Sequence, residues 1–352
     1  PPFTTSTLQQ EASRKLGFRS QRTMKAAQEL YEGVDLPKLG AVGLITYMRT
    51  DSLRISDEAR AAASAYIGEK YGQKYLPESP RAYKSRNSAQ DAHEAIRPTM
   101  PDLSPDQVKE SLTGDQYKLY KLIWERFIAS QMANAEYDTV SADIVSGPYL
   151  FKASGFSVRF DGFTVLYEEG RDGEEEKEGV LPPLEKGDPL ACKEITGSQH
   201  FTQPPPRFTE ASLIKFLEEH GIGRPSTYAP TITTITKRGY VELEGKQLKP
   251  TQLGEVTTTL MKDHFAEIVD EAFTARMEDE LDQVEEGKRS WVDVLEDFYG
   301  DFSKMMAKAE EDMKDVSMKI PDEETDIICE KCGRNMVIKT GRYGKFLACP
   351  GF

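Results

Sequence analysis

The stretch Gly43-Leu44-Ile45-Thr46-Tyr47-Met48-Arg49-Thr50-Asp51-Ser52 brings an apolar run, a phenol, a guanidinium and a carboxylate together in ten residues. Leu44 to Met48 is short, apolar and rich in strand formers, which predicts a strand ending at Arg49. On a strand, residues two apart share a face, so Tyr47 and Arg49 would point the same way. A tyrosine at a strand end can attack a phosphodiester if nearby cations stabilise the phenolate and the crowded transition state. The planar guanidinium of Arg49 suits that charge. The pattern alone leaves Tyr47 open between a packed core ring and a nucleophile.

On the N-terminal side, Leu8, Ala12 and Leu16, then Met24, Ala27, Leu30 and Tyr31, fall at helical spacing with a break at Gly17 and Phe18. This predicts two helices joined by a turn. On the C-terminal side, Ser56 followed by Asp57 and Glu58 predicts an N-cap and a helix to about Tyr71. Glu78 to Asp91 is polar loop. His93 to Ile96 is expected to open a short helix that Pro98 stops, and His93, Glu94 and Arg97 form a second cluster that could hold a phosphate or simply pair with one another. Ser104-Pro105 caps another helix, and Tyr117 to Met132 reads as a long one.

After Glu136 the character changes. Residues 139–145, 150–153, 157–160 and 164–167 predict four strands, with an acidic loop at Glu168 to Glu178 and a stiff Gln203-Pro204-Pro205-Pro206 connector. Cys192 in this region reads as a small core residue. Helices are expected again over 211–220, closed by Gly221, and over 227–238. A hairpin from Tyr240 to Leu248 then gives the outline of a winged helix. Three further helices are expected over 254–264, 273–287 and 291–318, followed by an acidic linker from Pro321 to Asp326.

The 352 residues predict two or three domains with ample apolar material for cores. No run approaches the roughly 20 apolar residues of a membrane span, and no signal segment opens the chain, so the expected compartment is the cytoplasm. The net charge of -14 hides an asymmetry: residues 1–99 carry 15 basic and 11 acidic groups, whereas 263–328 carry 7 and 22. Screening confines charge effects to about 10 Å, so a phosphate backbone senses the local patch and not the sum. The acidic block reads as solvated helix faces.

Cys329-x-x-Cys332 and Cys349, with Gly341 to Leu347 as a hairpin between them, have zinc-ribbon spacing. A closed tetrahedral site needs a fourth ligand, so weak zinc binding or none is expected with these three.

Four motifs in order then carry a resemblance: Pro2 to Ala12 (PFTTSTLQQEA), Gly43 to Ser52, Ala92 to Thr99 (AHEAIRPT) and Gly221 to Ala229 (GIGRPSTYA), followed by the partial ribbon. In these the chain resembles the bacterial DNA topoisomerase I family of type IA enzymes. The resemblance implies a multidomain α+β fold: residues 1–135 a helical lid carrying Tyr47, 136–206 a β-rich arch or hinge, 207–320 a helical base with a DNA-binding groove, and 321–352 a linker with a truncated zinc ribbon. It implies that Tyr47 attacks single-stranded DNA to give a 5′-phosphotyrosine and a free 3′-hydroxyl, with strand passage and religation relaxing negatively supercoiled DNA. Arg49 would stabilise the scissile phosphate, and His93 would belong to the active-site network. Asp51 would help hold the catalytic loop within the DNA-binding set, whose other members are Arg224, Ser226, Thr227, Tyr228 and Arg238.

By the same resemblance the family's magnesium, its general acid and their partners belong to a Toprim domain that would precede residue 1. Nothing here resembles its Asp-x-Asp cluster, and the expectation is that this piece alone relaxes DNA weakly or not at all. Mg2+ and Zn2+ are the implied cofactors. Single-stranded and supercoiled duplex DNA are the implied partners, with a monomeric state and an RNA polymerase contact through the C-terminal region of the full enzyme. A non-catalytic single-stranded DNA-binding module is the alternative.

Overall fold

The computed structural model describes the chain except Lys38, residues 85–92, 171–180, Pro183, 315–321 and 342–343. The chain divides into two compact units, residues 1–218 with 224–230, and residues 219–223 with 231–352.

In the first unit, helices α1 (Thr5–Leu16) and α2 (Ser20–Glu32) are the expected pair. Thr4 caps α1 in a reciprocal capping box with Thr7, and Gly17 ends it at φ 64°, a left-handed conformation that favours glycine. A small antiparallel hairpin, β1 (Val34–Leu36) and β2 (Gly40–Val42), follows. Helix α3 (Asp57–Lys70) starts at Ser56 as expected, with the Ser56 hydroxyl accepting from the Ala59 amide at 3.3 Å. Helix α4 (Pro105–Val108) is a single turn, and α5 (Gly114–Ser130) is capped by Thr113.

Leu119, Ile123 and Phe127 lie at four-residue spacing on α5 and are fully buried against Phe3, Leu8, Leu30, Leu44 and Ile96. Each such side chain removed from water contributes about 1.5–3 kcal/mol, which makes this the anchoring core of the unit.

Two local expectations fail here. Leu44 to Met48 is not a strand: only Ile45 makes a bridge, to Pro98, and the segment turns through bends up to Arg49. Its apolar residues Leu44, Ile45 and Met48 are needed in the core, and Thr46 and Tyr47 fall between them, so burial overrides ladder pairing. His93 to Ile96 is extended rather than helical, and its backbone pairs instead with Phe3 and Arg54.

Beyond α5 lies one long two-stranded ribbon, β3 (Glu136–Ser146) and β4 (Tyr149–Phe160), paired antiparallel from Glu136↔Phe160 to Ser146↔Tyr149. Two of the expected strands are thus a single strand. The intervening Ser154-Gly155-Phe156 stays in register with Ser141, Val140 and Thr139, so that glycine is no break. The expected strand at 164–167 is replaced by a 3-10 turn, Gly162–Val165, held by the Phe163 amide on the Ala133 carbonyl at 3.0 Å. Cys192 is exposed and lies in no strand, contrary to the core reading. Most of the acidic loop, from residue 171 on, lies outside the described residues.

Helix α6 (Glu210–Glu219) lies in the first unit up to Glu218, and α7 (Tyr228–Lys237) runs across the division. The second unit holds the hairpin β5 (Val241–Glu244) and β6 (Gln247–Pro250), turning at Gly245, and helices α8 (Gln252–Phe265), α9 (Glu271–Glu285) and α10 (Trp291–Asp312). Phe298 stacks on Phe302 at 5.4 Å, with Phe273 and Phe265 against the pair, while the acidic side chains are mostly on the outside. The last part of the expected long helix, 315–318, lies outside the described residues. The expected acidic linker is instead largely strand β7 (Glu323–Ile328), first of a three-stranded sheet with β8 (Asn335–Gly341) and β9 (Gly344–Ala348). Among the described residues no helix is long and apolar enough to cross a membrane.

Candidate active site

Three separate segments of the first unit hold the Tyr47 stretch. From α1, the Thr5 hydroxyl donates to the Met48 carbonyl at 2.7 Å and accepts from the Thr50 amide at 2.8 Å, while the Thr5 amide donates to the Thr50 carbonyl at 2.8 Å. From the 93–99 segment, the Arg97 carbonyl accepts from the Thr46 amide at 2.9 Å, and the Thr46 hydroxyl donates to the Ala95 carbonyl at 2.7 Å. From α2, the Leu30 carbonyl accepts from the Leu44 amide at 2.8 Å. The first three of the four motifs thus converge: the first and third clamp the backbone on either side of the tyrosine.

The clamp leaves the Tyr47 side chain 36% exposed between buried Ile45 and Met48. The His93 ring lies 5.6 Å from the Tyr47 ring and the Tyr31 ring 5.4 Å from it. Arg49 is exposed two residues on, but along a bent loop and not on a shared strand face. Asp51 is half-buried in the same loop, where the Thr50 hydroxyl accepts from the Ser52 amide at 3.0 Å and tightens the turn. The Tyr47 phenol and the His93 imidazole therefore lie side by side at the surface, with exposed Arg49 two residues further along the same loop.

Arg97 is turned inward. Its guanidinium donates to Glu94 at 2.6 Å and to the Pro98 carbonyl at 3.0 Å, and the residue is buried. Of the second cluster, only His93 faces Tyr47; Glu94 and Arg97 are an internal pair.

The fourth motif forms the entry to α7. The Thr227 hydroxyl accepts from the Arg224 amide at 2.8 Å and donates to its carbonyl at 3.1 Å, a closed loop that fixes the helix start. Ser226 and Thr227 are exposed and Arg224 is half-buried, and the Thr227 hydroxyl is taken up by the Arg224 backbone, so Ser226 carries the uncommitted hydroxyl at the entry to α7. Tyr228 is 7% exposed, the one member of the set turned into the protein. Arg238 is exposed just beyond the C-terminus of α7.

In the second unit the thiol sulfurs of Cys329, Cys332 and Cys349 lie within 4.8 Å of one another, with Cys332 and Cys349 at 3.3 Å. Sulfurs on a tetrahedral zinc ion are about 3.8 Å apart, from a bond of about 2.3 Å, so the trio fits three corners of such a site. The amides of Lys331 and Cys332 hold the Cys329 thiol below the usual range. The three cysteines are the one cluster of this kind among the described residues.

Tyr31 and Thr5 carry no distinguishing signal of their own in the sequence. Thr5 sits in a quoted motif, which marks the segment but not the hydroxyl, and the Tyr31 ring reaches Tyr47 only through the return of the chain from β2.

Comparison with known proteins agrees with this geometry. Residues 1–296 match the family described as DNA topoisomerase, and residues 326–352 match the topoisomerase DNA binding C4 zinc finger. The solved structure of full-length topoisomerase I from Thermotoga maritima is similar over 99% of this chain, at 38% identity and a TM-score of 0.78. This chain covers 55% of that one, about half its length. With the tyrosine clamp, the α7 entry and the cysteine trio all inside matched regions, the chain belongs to the type IA DNA topoisomerase family.

Proposed function

We propose that this chain supplies the nucleophile and part of the DNA-binding surface of an enzyme that relaxes negatively supercoiled DNA by transient cleavage of one strand. The observation that carries this reading is the open Tyr47 ring, held by two clamped backbone segments, with His93 beside it and Arg49 in the same loop.

The Tyr47 phenol oxygen attacks the phosphorus and the bond to the 3′-oxygen breaks. The phenol gives up its proton and the leaving 3′-oxygen gains one, leaving a 5′-phosphotyrosine and a 3′-hydroxyl with no change in oxidation state. Religation is the reverse. Arg49, exposed in the same loop, neutralises charge on the phosphate as the transition state forms. His93 orients the phenol or a phosphate oxygen. Magnesium, when bound by the family's enzymes, would neutralise phosphate charge; the described residues collect no acidic cluster for it. Arg224, Ser226, Thr227 and Arg238 track the backbone of a single strand through charge and hydroxyl contacts. Residues 1–135 act as lid, 136–206 as arch and 207–320 as base, in a cytoplasmic enzyme.

The test uses single-stranded oligonucleotides labelled at the 5′ or the 3′ end, mixed with the chain in the presence and absence of a separately made Toprim domain. A covalent adduct retaining only the 3′ label, seen on complementation and abolished by Tyr47→Phe with binding intact, is the expected result. Retention in a gel shift with no adduct under any condition makes the chain a binding module instead. Loss of binding together with adduct in Tyr47→Phe makes the tyrosine structural.

A further inference from the structure

The Tyr47 ring is flanked by two rings, those of His93 and Tyr31. Tyr31 lies in the last turn of α2, where the chain returning from β2 presses directly on it. Leu44 donates to the Leu30 carbonyl at 2.8 Å, and a Cβ added at Gly43 would come within 2.6 Å of the Tyr31 carbonyl oxygen. Any side chain at position 43 would push the two segments apart, so glycine there permits the close approach. The consequence is an edge-on contact between the Tyr31 and Tyr47 rings, centroids 5.4 Å apart and planes at 67°. The His93 ring is tilted at 43° to the Tyr47 ring. Tyr31 is 40% exposed, so it is no core residue and its ring is not required to fill a cavity.

We propose that Tyr31 is a positioning residue for the Tyr47 nucleophile. The inference rests on the covalent reading above and deepens it. A surface tyrosine is free to visit three side-chain wells, and only one direction of the phenol oxygen is in line with a given phosphorus and its leaving oxygen. Tyr31 and His93 restrict the sideways swing of the ring while leaving its exposed part accessible to DNA. An edge-to-face contact of ordinary strength biases the competing orientations by about 3- to 10-fold. The ring makes the contact, and the Tyr31 hydroxyl is dispensable. The bond made and the bond broken are those already given, and Tyr31 exchanges no proton with them.

Two measurements test this, on the 352-residue chain. In the first, Tyr47 alone is replaced by 3-fluorotyrosine and its fluorine resonance is followed. Tyr31→Ala should shift or broaden the signal and Tyr31→Phe should leave it near its original position, whereas a signal unmoved by Tyr31→Ala overturns the contact. In the second, adduct formation at saturating oligonucleotide is timed with added Toprim domain. Tyr31→Ala should slow it by about 10-fold with oligonucleotide affinity unchanged, and Tyr31→Phe should restore it to within about twofold. An equal rate in Tyr31→Ala overturns the proposal, as does a Tyr31→Phe variant as slow as Tyr31→Ala. Absence of any adduct in the unmodified chain under complementation counts against the covalent reading itself. That outcome differs from an adduct insensitive to position 31.

Discussion

The Glu210 carboxylate caps a helix that begins 190 residues before it: one oxygen accepts from the Ser20 amide at 2.8 Å and from the Ser20 hydroxyl at 2.7 Å, at the N-terminus of α2. The other oxygen accepts from Arg19 at 2.6 Å. Arg19 itself provides no side-chain cap, so α2 takes its cap from α6, where a negative charge also complements the helix dipole. At the far end of α6 the Ser6 hydroxyl donates to Glu218 at 2.8 Å. Both ends of α6 are therefore tied to the first two helices of the same unit.

This relationship has a pH signature. Burial alone would push the Glu210 carboxyl up, but the Ser20 amide, the Arg19 guanidinium and the Ser20 hydroxyl together hold it below the usual range. A depressed folded-state value stabilises the unit above the unfolded value of about 4.3, and the contribution is lost as pH falls through the lower folded value. Glu210→Gln is expected to lower stability by about 1–3 kcal/mol near neutral pH, because a buried amide end loses its charged acceptor. The gap between the thermal midpoints of the two proteins should narrow as pH falls below the unfolded value. A constant gap across that range would show that the carboxylate charge contributes nothing.

Thr5 is expected to matter more than its size suggests. Its hydroxyl serves both the Met48 carbonyl and the Thr50 amide and is fully buried. Thr5→Val keeps the shape and strands both backbone groups, at a cost of about 2–4 kcal/mol. Denaturant unfolding measures the loss. Adduct formation by Tyr47 should fall further than stability explains, since the same two bonds fix the backbone on the C-terminal side of the tyrosine; Thr5→Ser should recover much of both.

Helices were legible in the sequence where an apolar period met a break or a cap, as with Gly17 after α1 or Ser56 before α3, whereas the Thr4 capping box was not. The segments that make the candidate site were not, for a shared physical reason. Leu44 to Met48 and His93 to Ile96 are held by side chains and backbone from distant parts of the chain, so no local period describes them. Thr46 illustrates this: its hydroxyl looks like a strand former in sequence, and in the fold it is a cross-link to Ala95. Cysteine spacing pointed to the trio directly, whereas the local pattern left Tyr47 open and only the four motifs taken together singled it out. Tyr31 and Thr5 act only through neighbours that the folded chain supplies, and Arg97, chemically suited to phosphate, is occupied by Glu94.

The cysteine trio should bind zinc in this chain more weakly than a ribbon with four thiolates does, and with release of protons as the thiols ionise. Cobalt(II) provides the readout, through its thiolate charge-transfer band. Cys332→Ser is expected to remove most of that band, because Cys332 is one of three sulfurs within 4.8 Å of each other. A band of undiminished strength in Cys332→Ser would place the metal elsewhere. Cys192 lies outside this trio, and Cys192→Ser should leave the band unchanged.

DNA affinity should depend on salt with a slope set by the number of phosphates neutralised, about 0.7 per contact for a single strand. Arg224→Ala and Arg238→Ala are each expected to weaken oligonucleotide binding and to make the slope of log affinity against log salt shallower by about that amount. Ser226→Ala should weaken binding with the slope unchanged, since a hydroxyl contributes a hydrogen bond and displaces no counterion. Titrations at several salt concentrations with a labelled single strand separate the two behaviours. An arginine variant with the parent slope would be removed from the phosphate contacts, whatever its affinity.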